Sequence, residues 1–350
     1  MASPVLSCKR SGNDQDASHL WRPRKRRSLG GGMSFAVYVW GGSECSGDGQ
    51  DKPVYMERLS SLGVQHIGCG RTGDSRALFL TTSGELKEWG STNEGWYQAM
   101  EQDCDCLVDH LDVIIPTKID EMSCGLNHYA AIASNGDLYT WGGGAFGELG
   151  HNEEKDDPRP RKVQALGGKT MKQVVCGDYH TVALDSDGKL FSWGSNTAGR
   201  TGHGEEEGYQ LVPRPVRGLG NVQLSWVTTG SAHTAAITET GSLYTWGFGK
   251  NGELGHAVAE SRSAPTIVKA LENVNVVKAS CGSNHTGVIT QEGELYTFGG
   301  NKNGKLGLGD KVKRLSPTLV DALNGSYVKD ISCGTAHTVA ATSAGEIYTW

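Results

Sequence analysis

Cysteine and histidine recur along this chain at a spacing that could bind a metal ion. Five histidines lie 52 or 53 residues apart, and four of them follow a cysteine by four positions. The pairs are Cys124/His128, Cys176/His180, Cys281/His285 and Cys333/His337, and Thr229 stands in the cysteine position before His233. A structural zinc site needs four ligands that converge on one point, whereas these pairs lie one repeat apart. We therefore predict no metal site: the cysteines are small buried residues, and the histidines join strand ends by hydrogen bonds.

A second pattern is similar to a phosphate-binding loop. Gly299 to Gly309 reads GGNKNGKLGLG, so Gly299-x-x-x-x-Gly304-Lys305 matches most of a P-loop. Leu306, however, stands where a P-loop has the Ser or Thr that holds magnesium. The segment is also the fourth copy of one loop, after GELG at 147–150, GRTG at 199–202 and GELG at 252–255. We therefore predict a repeat loop and no nucleotide or other cofactor.

Covalent catalysis has no support in the pattern of side chains. A nucleophilic mechanism needs a nucleophile, a base and an orienting group within reach of one another. Serine and histidine occur throughout the chain, but none has a placement outside the repeat that would build such a set. We expect no covalent enzyme activity and no small-molecule substrate.

The elements that position these residues form repeats of about 52 residues. One repeat, Lys172 to Val216, reads as four short strands, KQVVCG, HTVALDSDG, KLFSWG and LVPRPV, with a turn at Asp187-Gly188. No segment has a sustained 3.6-residue period. Seven aromatic residues mark the repeats: Trp40, Trp89, Trp141, Trp193, Trp246, Phe298 and Trp350. Four antiparallel strands per repeat predict an all-β protein, a β-propeller whose blades pack on their neighbours.

The composite motif of the repeats resembles that of a known family. Cys-Gly-x-x-His-Thr, then Gly-x-Leu-Tyr-x-Trp-Gly, then Gly-x-Leu-Gly recur over about residues 36–350. This series is similar to the regulator of chromosome condensation repeat family, which implies a seven-bladed propeller with four-stranded blades. Residues 35–350 would then hold six repeats plus the half of the closing blade that residues 35–59 supply. We expect a chain truncated before the ring closes.

The resemblance also implies a function. The family includes an exchange factor for the small GTPase Ran, in which an aspartate in the loop before the repeat histidine matters for exchange. Asp178 lies in such a loop here, one place displaced. The most specific expectation is therefore a guanine-nucleotide exchange factor for, or a binding partner of, a small Ran-like GTPase. The alternative is a non-catalytic docking propeller of a larger multidomain protein, such as a HECT-type ubiquitin ligase.

Plant ultraviolet-B receptors of the family carry tryptophans two places before the repeat histidine. This chain has other residues there: Leu126, Asp178, Ser231, Ser283 and Thr335. The resemblance therefore does not extend to light absorption.

Two acidic loops follow the Gly-x-Leu-Gly elements of neighbouring repeats. Copies of one loop emerge on one face of a propeller, so their carboxylates would form a single rim suited to a basic protein partner. The candidate partner-binding residues are Glu153, Glu154, Asp156, Asp157, Asp178, Glu205, Glu206 and Glu207. The alternative is a pair of solvated loops.

The N-terminal segment, residues 1–34, differs in composition from the repeats. It is polar and basic, and we predict a disordered tail with the layout of a bipartite nuclear-localisation signal. The basic residues are Lys9, Arg10, Arg22, Arg24, Lys25, Arg26 and Arg27. The same run suits DNA phosphates or the acidic surface of a nucleosome, which makes chromatin a candidate partner. A plain solvated tail is the alternative.

The overall composition limits the partners and the cellular compartment that we expect for the protein. The net charge of −6 gives no general attraction to nucleic acid, and no apolar stretch approaches the roughly 18 residues of a membrane span. Nine cysteines without a secretory apolar core indicate a reducing compartment. We expect a nuclear or cytoplasmic protein with no membrane partner.

Overall fold

The computed structural model describes residues 38–39, 54–55, 63–69, 77–89, 115, 117–205, 207–220 and 222–350. Its regular structure there is almost wholly β. The only helices in these ranges are four single turns of 3-10 helix: Gln164–Leu166, Thr197–Gly199, Lys269–Leu271 and Asp321–Leu323. The all-β prediction is therefore confirmed.

The first strands that the structure describes form a two-stranded sheet and then a three-stranded blade. Strands β1 (Tyr38–Val39) and β2 (Val54–Tyr55) pair with each other in a two-stranded sheet. Blade 1 is a three-stranded sheet of β3 (Val64–Cys69), β4 (Ala77–Thr81) and β5 (Leu86–Trp89).

Blades 2 to 5 are four-stranded antiparallel meanders that follow one another along the chain. Blade 2 contains β6 (Ile119–Cys124), β7 (His128–Ala133), β8 (Leu138–Gly142) and β9 (Asp157–Lys162). Blade 3 contains β10 (Met171–Cys176), β11 (His180–Asp185), β12 (Leu190–Ser195) and β13 (Tyr209–Pro215). Blade 4 contains β14 (Leu224–Thr229), β15 (His233–Thr238), β16 (Leu243–Gly247) and β17 (Arg262–Ile267). Blade 5 contains β18 (Val276–Cys281), β19 (His285–Thr290), β20 (Leu295–Gly299) and β21 (Arg314–Leu319).

The described part of the chain has six blades, not the seven that we predicted. Blade 6 is a three-stranded sheet of β22 (Val328–Cys333), β23 (Thr338–Thr342) and β24 (Ile347–Thr349). Of residues 35–59, the expected contribution to a seventh blade, the structure describes only the two-residue strands β1 and β2, which pair with each other. Within the described residues, blades 2 to 5 have the four strands that we predicted.

The core consists of hydrophobic clusters that lie between consecutive blades. The cluster between blades 2 and 3, for example, joins Ile132 and Leu138 to Val174 and Phe191. Equivalent clusters fill the junctions of the other neighbouring blades. Every residue of the second strand is buried in blades 2 to 5, because a neighbour covers each face of the sheet. No blade therefore has a core of its own.

The meander brings two loops of each blade to the same end. In a four-stranded antiparallel meander, the loop between strands one and two and the loop between strands three and four lie at the same end of the strands. Backbone hydrogen bonds join these two loops: Ser195 N–H donates to the Tyr179 carbonyl in blade 3, and Phe248 N–H donates to the Ala232 carbonyl in blade 4. We call this end of the propeller the loop face. The tight turns between strands two and three lie at the opposite end, where the predicted Asp187-Gly188 turn has Gly188 at φ 75°.

Candidate docking face

A hydrogen-bonded group of repeat residues joins consecutive blades from blade 2 to blade 6, and we call it the blade clamp. Between blades 4 and 5, Nε2 of His233 lies 2.9 Å from Oγ1 of Thr286. The Thr286 hydroxyl donates to the carbonyl of Glu253 at 2.8 Å. Because a hydroxyl has one hydrogen to donate, Nε2 of His233 must carry the proton that it shares with Thr286.

The clamp recurs at three further junctions, those of blades 2 and 3, blades 3 and 4, and blades 5 and 6. The His–Thr distances are 2.8 Å for His128 and Thr181, 3.4 Å for His180 and Thr234, and 2.9 Å for His285 and Thr338. Each threonine hydroxyl also donates to a carbonyl of the preceding blade: Glu148, Arg200 and Lys305 respectively. The histidines thus join strands by hydrogen bonds, as predicted, and the strands that they join belong to neighbouring blades.

The repeat tryptophan donates to the same carbonyl as the threonine. Nε1 of Trp193 bonds to the Glu148 carbonyl at 2.8 Å, Trp246 to Arg200 at 3.1 Å and Trp350 to Lys305 at 2.9 Å. In the remaining copy the aromatic is Phe298, whose ring has no N–H to donate. The variable residue of Gly-x-Leu-Gly thus supplies the carbonyl on which the other two motif elements converge.

The glycine of the Cys-Gly element makes room for the clamp histidine. A Cβ atom on Gly282 would lie 2.3 Å from Cε1 of His285 and 2.4 Å from the Gly334 carbonyl oxygen. The thiols of Cys176, Cys281 and Cys333 are buried. Among the described residues, no three His, Cys, Asp or Glu side chains are grouped so that they could hold a metal ion.

Burial controls the charge state of the clamp residues. Desolvation lowers the pKa of His128 to about 3, so this ring stays neutral at physiological pH. Lys305, the lysine of the P-loop-like segment, is buried and donates to Oδ1 of Asn284 and to the Thr335 carbonyl. Its ammonium hydrogen-bonds within the protein, and burial lowers its pKa.

The four variable residues of Gly-x-Leu-Gly are all buried and alternate in charge around the ring. They are Glu148, Arg200, Glu253 and Lys305. Burial raises the pKa of Glu148 to about 7 and also raises that of Glu253. The Glu148 carboxylate accepts the Phe146 N–H at 2.7 Å, which fixes the loop that precedes it.

The acidic loops of blades 2 and 3 lie on the loop face, but several of their carboxylates already have partners. Glu153 pairs with Arg161 at 2.5 Å, and Glu205 pairs with Arg214 at 3.3 Å. Asp156 accepts the Gly144 N–H at 2.9 Å, so it shapes its own loop. Asp157 does the same with the Arg159 N–H at 3.2 Å.

Glu154 and Glu207 are exposed acidic residues of these loops. Asp178 is half-buried beside the Arg200 guanidinium. Burial lowers the pKa of Arg200, and the negative charge of Asp178 offsets part of that lowering. Glu206 lies outside the described residues. The predicted nuclear-localisation residues, Lys9, Arg10, Arg22, Arg24, Lys25, Arg26 and Arg27, lie outside them too.

Three aromatic side chains that the repeat motif does not include meet on the loop face, where blades 2 and 3 adjoin. The Phe146 ring lies edge-on to Tyr179 at 4.8 Å and to Tyr209 at 5.4 Å between ring centroids. We call these three residues the aromatic junction. A comparison of equivalent loop positions across the repeats would have singled them out, because the other copies are not aromatic there.

The fold and the clamp define a β-propeller of repeats that are joined through a shared carbonyl. The model of the RCC1-like domain matches residues 33–288, and the regulator of chromosome condensation (RCC1) repeat matches residues 292–341. The chain therefore belongs to the RCC1 repeat family. Within its described part, no helix has the length and apolar character that crossing a bilayer requires.

Curated relatives include proteins of different function. The chain is 35% identical to the ultraviolet-B receptor UVR8 of Arabidopsis thaliana over 79% of its own length and 63% of that protein. It is also 35% identical to the probable E3 ubiquitin-protein ligase HERC6 of Homo sapiens, over 77% of its own length and 27% of that protein. The chain thus spans less than two thirds of each of these relatives.

Solved structures share the fold at low identity. A chain in the structure of Kap60 bound to yeast RCC1 (Prp20) matches with a TM-score of 0.70 and 22% identity, over 85% of this chain and 72% of that one. Human WBSCR16 matches with a TM-score of 0.66 and 23% identity, over 82% and 71%. At these identities the match carries the propeller fold alone.

Proposed function

We propose that this chain is a protein-docking propeller that binds its partner on the loop face. One observation carries the proposal: the clamp residues repeat from blade to blade, whereas the loop residues change in size and charge. Exposed carboxylates lie on blades 2 and 3, and exposed lysines, Lys311 and Lys313, lie on blade 5. A face with opposite charges on its two sides favours one orientation of a partner.

The most specific form of this function is binding of a small Ran-like GTPase, with guanine-nucleotide exchange as the activity. Exchange needs protein groups inserted beside the bound nucleotide and makes no covalent bond. Asp178 and the variable loops lie on the face that such a partner would contact. A solved yeast relative, Prp20p, has binding properties to Gsp1p and histones, which supports a protein partner of this kind.

The test is release of fluorescent GDP from a Ran-type GTPase in the presence of the purified full chain. We expect faster release with the chain, and loss of that effect in Asp178→Asn. Asp187→Asn, which makes the same change at an exposed turn on the opposite end of blade 3, serves as the matched control. If release is unaffected and no nucleotide-free complex forms, the GTPase form of the proposal is wrong.

The alternative is a docking propeller within a larger multidomain protein, such as a HECT-type ubiquitin ligase. It draws on the relatives named as ubiquitin ligases, HERC6 and the human HERC2, of which the chain spans 27% and 6%. Affinity capture from extract separates the two forms. A GTPase enriched only without nucleotide indicates exchange. A partner captured equally with GDP, GTP or neither indicates docking, and capture of nothing contradicts both.

We also propose a nuclear or cytoplasmic location, with import and chromatin contact carried by the basic N-terminal run. In a tagged protein, alanines at Arg24, Lys25, Arg26 and Arg27 are expected to empty the nucleus. Unchanged distribution would contradict the import proposal.

A further inference from the structure

We infer that the aromatic junction on the loop face is a docking site for an arginine-bearing basic segment of a partner protein. The inference rests on the proposed docking function and specifies the chemistry of the partner. It uses Phe146, Tyr179 and Tyr209 together with the acidic residues around them.

The rings form an open, edge-packed group. Phe146 stands between the two tyrosines at interplanar angles of 66° to Tyr179 and 81° to Tyr209. Phe146 and Tyr179 are half-buried, and Tyr209 is 50% exposed. Such an arrangement presents ring surface to solvent instead of closing into the core.

The other blades form the same fold without these three rings, so the fold does not need them. Equivalent positions in the other described blades hold small, polar or charged residues. The counterparts of Phe146 are Ala198, Asn251 and Asn303, and those of Tyr179 are Asn127, Ala232, Asn284 and Ala336. By strand register, the counterparts of Tyr209 are Asp156, Ser261 and Lys313. Three independent departures from the repeat therefore meet at one place.

Backbone contacts hold the junction in a fixed arrangement. The Phe146 N–H donates to the buried Glu148 carboxylate at 2.7 Å. The Tyr179 carbonyl accepts the Ser195 N–H at 2.8 Å, and Tyr209 pairs with Ser195 at the start of β13. A site built on ordered backbone loses little conformational entropy when a ligand binds.

Charge indicates what the site binds. Glu207 lies two residues before Tyr209 and is exposed, and Glu154 is exposed on the adjoining loop of blade 2. A cation over an aromatic face is attracted by the ring, and neighbouring carboxylates add to the attraction. The planar guanidinium both stacks on rings and bonds carboxylates in pairs, so arginine fits the combination better than lysine.

The test is fluorescence anisotropy with a labelled peptide that contains three arginines separated by glycine and serine. Matched peptides carry lysine or citrulline, which keeps the shape of arginine but has no charge. With the full chain we expect the arginine peptide to bind tightest and the citrulline peptide at least about tenfold more weakly. Tyr209→Ala should weaken arginine-peptide binding about fivefold, and Glu207→Lys should weaken it as well.

Tyr327→Ala is the matched control, because Tyr327 is 48% exposed at the opposite end of the propeller. Equal affinity of wild type and Tyr209→Ala, with both proteins folded, would overturn the inference. So would equal binding of the arginine and citrulline peptides. Binding that appears only after Arg24, Lys25, Arg26 and Arg27 are replaced by glutamine would assign the junction to the chain's own tail and overturn its assignment to a partner.

Capture of the natural partner separates this inference from the proposed function. If Tyr209→Ala captures the partner as well as wild type does, the arginine site is wrong while the docking function stands. If wild type captures no partner in any condition, the docking function fails first.

Discussion

The blade clamps and the aromatic junction lie in the same molecule but use sequence in opposite ways. At each clamp, histidine and threonine return at the same places and meet the same kind of carbonyl. At the junction, Phe146, Tyr179 and Tyr209 depart from what the other repeats have. In a repeat protein, residues that recur in every unit serve the contacts between units. Residues that differ from the repeat are the candidates for a function of their own.

The largest effect should come from filling the space behind a clamp histidine. Gly282→Ala places a Cβ within 2.4 Å of the His285 ring and of the Gly334 carbonyl oxygen. Blade 5, which holds Gly282, and blade 6, which holds Gly334, must therefore move apart. We expect a loss of about 3 kcal/mol or more in the free energy of unfolding, measured with urea. Gly325→Ala is the control: it meets no atom within 4 Å, so only the strain of its φ of 84° remains and the cost should be about 1 kcal/mol. Equal losses would remove the steric role of Gly282.

The pH dependence of one clamp should follow from its buried histidine. His128 remains neutral in the fold because its pKa is about 3, whereas in the unfolded chain it takes up a proton below pH 6.5. The stability that it contributes is thus complete above pH 6.5 and declines as the pH falls toward 3. His128→Gln should cost about 2 kcal/mol at pH 7.5, and that deficit should shrink by roughly 1 kcal/mol between pH 6 and pH 5.

Urea unfolding at each pH measures this deficit. Thr181→Ser keeps both the histidine and the hydroxyl, so its difference from wild type should not change over the same range. A deficit of His128→Gln that is constant with pH would contradict a neutral, buried ring.

Smaller effects should come from the aromatic donor of the clamp. Trp246→Phe removes the 3.1 Å bond to the Arg200 carbonyl and should cost about 1 kcal/mol, beyond the loss of ring area. Phe298→Trp introduces the donor that blade 5 lacks, and should be neutral or stabilise by up to about 1 kcal/mol. Thermal unfolding of both variants compares them directly. A strong destabilisation by Phe298→Trp would show that the Glu253 carbonyl is not equivalent to the others.

The smallest effect on stability should be at the aromatic junction. Tyr209→Ala removes a half-exposed ring that no clamp uses, so the free energy of unfolding should change by only about 0.5 kcal/mol. Tyr327→Ala should change it by a similar amount. A loss near that of Gly282→Ala would make Tyr209 a structural residue and remove the contrast between the two regions.

The sequence predicts the blades well because each repeat encodes its own strands, turns and neighbours. The periodic His-Thr, Trp and Gly-x-Leu-Gly elements place the strands, and the Asp187-Gly188 turn lies where it was expected. The predicted blade number was wrong because a family pattern was extended to residues 35–59, where the structure describes only the two-residue strands β1 and β2.

Residue types do not predict the clamp acceptor, and they do not predict that the three junction residues meet, although a comparison of loop positions singles out each of them. The acceptor is a main-chain carbonyl, which every residue has, so no side chain identifies it. The junction joins Phe146, Tyr179 and Tyr209 from different loops, and only the packing of blade 2 against blade 3 brings them together. Several carboxylates of the predicted acidic rim, such as Glu153, prove to be paired within the protein, which the sequence spacing does not reveal.

The peptide carbonyl in each clamp works as a standard connector between modules. Glutamate, arginine, glutamate and lysine occupy the four connector positions, yet the bond to the next module keeps the same form. Any unit that supplies this carbonyl together with the clamp histidine can be followed by any unit that supplies the matching threonine. Gene duplication could therefore lengthen the chain, and an engineer could exchange its units, without redesigning the contacts between them.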